Sequence, residues 1–236
     1  MEATFWHQKW ESGEIGFHEA QVNQALVTHL EKLNLEPGRR IFLPLCGKTI
    51  DIGWLLARGY RVVGVELSGL AINELFASLD LKPEITARGS LRRYRAENIT
   101  LWEGDIFHLP GCMLGQVDAI YDRAALVALP ADARKRYTAH LMAVTDNAPQ
   151  LLITYEYDQQ LYDGPPFSVV QEELRQHYDE VYRLALLART EIEGGFKGRV
   201  DAATAAWLLQ SRPCWIRFHY LVLNGFNYIE DLVPLS

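Results

Sequence analysis

Short apolar runs alternate with helix-length amphipathic stretches along most of this chain, and that alternation restricts the fold more than any single motif. RRIFLPLCG is an apolar run bounded by Pro37-Gly38 before it and Gly47 within the turn that follows, the mark of a buried strand. A helix through IGWLLARG comes next, with Asp51 or Thr49 as its cap and Gly59 as its stop. RVVGVELS reads as a second buried strand and LAINELFASLDL as a second helix. ITLWEGD and VDAIYD are the third and fourth strands, ADARKRYTAHLMAV is a helix after Pro130, and QLLITYEYD is the fifth strand. VVQEELRQHY is a short helix, and VYRLALLARTEI with ATAAWLLQ forms a closing pair of strands. Such alternation implies parallel βαβ units with right-handed crossovers. The expected fold is α/β: one doubly wound, mostly parallel seven-stranded sheet with helices on both faces.

Residues 1–36 precede this pattern and carry a helical stretch, VNQALVTHLEKL, in which Val22, Leu26, Leu30 and Leu33 recur at helical spacing. With 236 residues there is room for one sizeable core. The formal charge of -7 argues against a general nucleic-acid or anionic-membrane binder. The basic cluster of Arg88, Arg92, Arg93 and Arg95, interleaved with Leu91 and Tyr94, reads as a solvated loop or hairpin face. Cys46, Cys112 and Cys214 are odd in number and far apart, which suits reduced thiols in the cytoplasm, and the scattered histidines offer no metal-binding spacing. The N-terminus lacks a basic segment followed by a long apolar core, so no signal peptide is expected. No apolar run approaches the roughly 18 residues of a membrane span. These features describe a cytoplasmic protein, expected as a monomer, with a small-molecule partner and neither nucleic acid nor membrane.

In open α/β sheets the ligand lies beyond the carboxyl ends of the strands, where strand order reverses. The loop LPLCGKT, residues 43–49, is therefore where a cofactor belongs. Its Gly47-Lys48-Thr49 matches the end of a phosphate loop, but the early glycine of that loop falls on Phe42, and Pro44 has no N–H to donate. The glycine-rich dinucleotide fingerprint fails as well, because only Gly47 and Gly53 are available. Glu66 ends the second strand 19 residues after Gly47, with an acceptor-only carboxylate suited to ribose hydroxyls. One glycine that lets the backbone approach, followed by that acid, suits a nucleoside cofactor without phosphates, and S-adenosyl-L-methionine is the obvious one. Asp105 and Ile106 follow the third strand, where an acid can accept from an adenine amine and an apolar side chain can cover the ring. Asp122 and Arg123 follow the fourth.

These residues lie in longer stretches: FWHQKWESGEIGFH at 5–18, LPLCGKTIDIGWLLARGYRVVGVELS at 43–68, YDRAALVALP at 121–130, GPPFSV at 164–169 and GGFKGRV at 194–200. Together they resemble the thiopurine S-methyltransferase family, its bacterial members in particular, over about residues 1–210. The resemblance implies S-adenosyl-L-methionine held by Trp10, Leu45, Glu66 and Arg123. Trp10 would cover the cofactor, Leu45 would contact its methionine end, Glu66 would take the ribose hydroxyls, and Arg123 would lie near adenosine and acceptor. It also places Phe17, Asp122, Pro165, Pro166 and Phe167 around the acceptor pocket.

The implied reaction carries a methyl group from a sulfonium to the sulfur of an aromatic or heterocyclic thiol, and in bacteria also to selenium or tellurium oxyanions in detoxification. Alignment of the reacting atoms in a dry site supplies most of the rate, and no general base is required. Arg123 would stabilise the acceptor anion, with Asp122 orienting Arg123. The segment around Phe5, Trp6, Trp10 and Phe17 is expected to close as a lid. Residues 211–236 continue past the resemblance as an extension of unassigned role. Two other readings stay open: transfer to another small thiol or a halide, and a non-catalytic nucleotide-binding module on the same fold.

Overall fold

The computed structural model describes residues 3–16 and 18–212. Five strands lie parallel at the centre of one sheet: β1 (Arg40–Pro44), β2 (Arg61–Glu66), β5 (Ile99–Glu103), β6 (Ala119–Arg123) and β7 (Gln150–Tyr157). Their near-continuous apolar runs, such as Val62, Val63 and Val65 of β2, suit strands covered on both faces. Antiparallel strands complete both edges: β3 (Glu84–Arg88) and β4 (Leu91–Ala96) beside β5, and β8 (Tyr182–Glu191) and β9 (Ala202–Ser211) beyond β7. The order is β3-β4-β5-β2-β1-β6-β7-β9-β8, so the chain reverses its direction of winding between β1 and β6.

Helices cover both faces, and alternate strand residues feed two cores. On one face Leu26, Ile52, Leu55, Ile72 and Leu75, from α2 (Gln24–His29), α3 (Asp51–Ala57) and α4 (Gly69–Ser78), pack on Ile41, Leu43, Ala119 and Tyr121. On the other, Leu114 of the short α5 (Gly111–Leu114), Tyr137 and Leu141 of α6 (Ala131–Thr145), and Leu174 and Tyr178 of α7 (Gln171–Tyr178) pack on Phe42, Val63, Val65 and Ile120. The N-terminal α1 (Ala3–Glu11) lies near α4. The helix expected over VNQALVTHLEKL is capped by Asn23, whose Oδ1 accepts from the N–H groups of Ala25 and Leu26. It tightens into a 3-10 turn at Leu30–Leu33.

Two expectations are corrected. The sheet has nine strands and not seven, because the arginine-rich segment is a hairpin joined to the edge. Leu91 and Tyr94 are buried; the Tyr94 hydroxyl donates to Glu103 Oε2 at 2.7 Å, and Arg92 pairs with the same carboxylate. Neither Asp51 nor Thr49 is the N-cap of α3, which is Ile50 with no side-chain cap hydrogen bond. Thr49 Oγ1 accepts from the Asp51 N–H at 3.3 Å, which leaves the buried Asp51 carboxylate to accept from Asn23 N at 2.9 Å and the Tyr121 hydroxyl at 3.1 Å. β9 runs through Ser211, and most of the expected C-terminal extension lies outside the described residues.

Gly64 lets the strands close beneath the β1 loop. A Cβ there would stand 2.8 Å from both Cys46 Sγ and Leu101 Cδ2. Its φ lies outside the left-handed range, so packing alone is at stake. Gly64→Ala is expected to lower the free energy of unfolding by about 1–3 kcal/mol, the usual range for overpacking a core. Urea denaturation at neutral pH measures this, and equal midpoints would contradict the close approach.

Candidate active site

The loops at the carboxyl ends of β1, β2, β5, β6 and β7 surround one cleft of about 660 Å³ at the winding reversal. After Pro44 the chain turns sharply, with Leu45 at φ +46° and Gly47 at φ +54°. The left-handed region is costly for leucine, so the surrounding contacts must hold the turn. Cys46 N donates to Val65 O at 3.0 Å, and Gly47 N donates to Glu66 Oε2 at 2.8 Å. The other oxygen of Glu66 accepts from Ser68 N at 2.8 Å, while the Ser68 hydroxyl caps α4. Burial pushes the Glu66 carboxyl up, and these N–H donors partly counter the rise. The Leu67 N–H also acts on this carboxylate, and of its roughly four lone-pair directions at least one stays open to a ligand hydroxyl.

Gly47 also admits Trp10: a Cβ at residue 47 would stand 3.1 Å from Trp10 Cζ2. Lys48 Nζ pairs with Glu74 at 2.6 Å and lies 5.8 Å from the centre of the Trp10 ring. Farther along the same wall, exposed Asp105 accepts from Phe107 N at 3.0 Å, and buried Ile106 presents an apolar side chain.

The opposite end is aromatic and cationic. Tyr157 and Phe196 stack with ring centres 5.9 Å apart, and Tyr155 and Tyr162 lie at 5.5 and 5.3 Å from Phe196. Tyr155, Tyr162 and Phe196 line the cleft beside Pro165 and Pro166, whose preceding peptide bonds are both cis. Lys197, held at φ +51°, hydrogen-bonds the Tyr162 hydroxyl at 3.0 Å. Arg123 is nearly buried and ion-pairs with Glu19. Burial pulls its guanidinium down, but Glu19, Tyr155, Tyr121 and Asp51 together outweigh that and hold it above the ordinary arginine range. Burial, then the charges of Lys48 and Arg123, push His18 down.

Trp10, Leu45, Gly47, Glu66, Asp105, Ile106, Arg123, Pro165 and Pro166 thus meet in one cleft. Phe17 lies outside the described residues. Asp122 and Phe167 require correction. Successive residues of β6 point to opposite faces, so Arg123 enters the cleft while Asp122 is buried towards α6. Asp122 accepts from Tyr137 Oη at 2.6 Å and from Leu126 N at 3.0 Å, and the partner of Arg123 is Glu19. Asp122 therefore braces the turn Leu126–Ala128, part of which lines the cleft. Phe167 braces the next loop: its N–H donates to Val127 O at 2.6 Å, and its ring lies against Gly164.

The sequence reading missed Glu19, Tyr155, Phe196 and Lys197. Phe196-Lys197 had a signal, since Gly194, Gly195 and Gly198 around them all take positive φ in the turn between β8 and β9. Glu19 had none, because its partner is remote in sequence.

Burial raises the Asp122 carboxyl from 3.8 to about 6, against the hydrogen bonds of Tyr137 and Leu126. A carboxyl raised by folding favours the native state fully below its unfolded value, and that contribution is lost as pH rises through the folded one. Asp122→Asn keeps an acceptor for Leu126 N but cannot ionise. Thermal melts from pH 3.5 to 7 should show the parent losing stability relative to the variant across about pH 4–6. A difference independent of pH would contradict this assignment.

Comparison with known proteins agrees with this geometry. The family model for thiopurine S-methyltransferase (TPMT) matches residues 1–207. A protein named thiopurine S-methyltransferase from Xanthobacter autotrophicus is 51% identical over 211 residues, spanning 89% of this chain and 99% of its own. Another of that name, from Teredinibacter turnerae, is 49% identical over 209 residues, covering 89% and 97%. Among solved structures, a SAM-dependent methyltransferase from Anabaena variabilis superposes with a TM-score of 0.61 at 15% identity, covering 89% of this chain and 95% of that one. Magnesium protoporphyrin IX methyltransferase from Synechocystis, solved with SAH, gives 0.57 at 15% identity, covering 89% and 100%. At such identities the superpositions speak for the fold, a Rossmann-like methyltransferase fold. The match along nearly the whole sequence speaks for more: this chain belongs to the thiopurine S-methyltransferase family.

Proposed function

We propose that this chain is an enzyme that transfers the methyl group of S-adenosyl-L-methionine to the sulfur of an aromatic or heterocyclic thiol of the thiopurine kind. The observation that carries the reading is the buried Glu66 carboxylate, braced by Gly47 N and Ser68 N in the wall of a cleft with an aromatic far end. The residues fit the cofactor. Glu66 retains acceptor capacity for a ribose hydroxyl, Ile106 offers an apolar cover for a purine, Asp105 an acceptor for its amine, and Leu45 an apolar contact at the turn.

When bound, the cofactor supplies a methyl group on a sulfonium sulfur, which leaves as a neutral thioether when a thiolate attacks. The protein's part is to hold that thiolate in line and keep water out. Tyr155, Tyr162 and Phe196 grip the planar ring of the acceptor, Pro165 and Pro166 wall it in, and the Arg123 cation faces the sulfur anion. Phe5, Trp6 and Trp10 line the cleft from the N-terminal side, where α1 would act as a lid. Asp122 acts at a distance, through the Leu126–Ala128 turn. We read the protein as a cytoplasmic monomer without nucleic-acid or membrane partners; among the described residues no helix is long and apolar enough to cross a membrane.

The test is transfer of a labelled methyl group from S-adenosyl-L-methionine to 6-mercaptopurine and a panel of aryl thiols, with selenite and tellurite as probes of a wider acceptor range. Glu66→Gln is expected to raise the cofactor KM about tenfold or more, as loss of charged hydrogen bonds implies, with little change in acceptor KM. Absence of methyl transfer to any thiol would overturn the reading, and an unchanged cofactor KM would remove Glu66 from it.

A further inference from the structure

Arg123, the cation assigned to the acceptor sulfur, is already neutralised. Its side chain is 9% exposed and paired with Glu19, whose side chain is 43% exposed at the mouth of the cleft. The two partners are held very differently. Arg123 ends a central strand and lies beside the Tyr155 hydroxyl, while Glu19 sits on a loop before α2 and, among the described residues, accepts one further hydrogen bond, from Asn23 Nδ2 at 3.4 Å. The more exposed, less tethered carboxylate is the one that can give way. His18, Lys48, Asp51, Tyr121 and Tyr155 also face this pair, and none of them supplies a second carboxylate within ion-pair distance of Arg123 among the described residues.

We propose that Glu19 is a specificity-determining residue: its carboxylate occupies the anion position on Arg123, and an acceptor binds productively only by exchanging its thiolate for that carboxylate. This rests on the reading of Arg123 as the cation facing the acceptor. A neutral thiol leaves the Glu19–Arg123 pair intact and gains nothing from the guanidinium. An ionised thiol replaces one anion by another, so the buried cation is never left unpaired, which would be the costly state. The displaced Glu19 stays close by and opposes the thiolate, setting a threshold on how readily the acceptor must ionise.

The probe is 4-nitrobenzenethiol, whose thiolate is coloured, bound to the enzyme with S-adenosylhomocysteine and titrated by absorbance. Removing the Glu19 charge frees Arg123, so Glu19→Gln should lower the ionisation midpoint of the bound thiol by about one pH unit, a typical effect of one nearby charge. The KM for the thiolate in methyl transfer should fall about three- to tenfold with it. Glu19→Asp keeps the charge and should stay near the parent's midpoint. Coincident midpoints for parent and Glu19→Gln, or an equal shift in Glu19→Asp, would overturn the proposal even where methyl transfer is intact. Loss of methyl transfer from the parent itself would instead count against the enzymatic reading.

Discussion

A carboxylate cut off from water must find its partners within the protein, and Glu66 finds them in two loops at once. One oxygen takes the N–H of Gly47 after β1 and the other that of Ser68 at the start of α4. The same acid thereby holds the left-handed turn at Leu45–Gly47 in place and leaves acceptor capacity facing the cleft. The absence of a Cβ at residue 47, where φ is positive, lets the ring of Trp10 lie close on this loop. N-terminal helix, cofactor loop and second strand are thus joined through one buried group and one glycine.

The pleat of β6 divides the remaining work. Tyr121 and Arg123 face the cleft and the Asp51–Glu19 side, while Asp122, between them, faces the helical core. Adjacent residues in one motif therefore have separate surroundings, one lining the cleft and one bracing its wall. The loops bearing Val127 and Phe167 lean on each other through a backbone hydrogen bond, so a disturbance at Asp122 would reach the acceptor end through the main chain.

Much of this was legible in the sequence. The central parallel strands, the helices between them and a closing pair of strands follow from apolar runs and glycine stops, because buried parallel strands leave a plain signal, while the antiparallel direction of that pair comes from the structure. Phe42 and Pro44 excluded a phosphate cradle, and the spacing of Gly47 and Glu66 pointed to a nucleoside. The arginines of the β3–β4 segment suited a solvated loop or hairpin face, and its place in the sheet rests on pairing with β5, where Arg92 meets Glu103. Asp122 was misplaced because a motif lists neighbours without stating which face each takes. The Glu19–Arg123 and Asp51–Tyr121 contacts join residues far apart in the chain, and no local pattern encodes them.

The central claim is that this cleft holds an adenosine cofactor through Glu66 and has no cradle for phosphates. Calorimetric titration of the intact protein with S-adenosylhomocysteine and, separately, with ATP tests it most directly. The account predicts saturable binding of S-adenosylhomocysteine at one site per chain and none of comparable strength for ATP. Binding of ATP alone would contradict it.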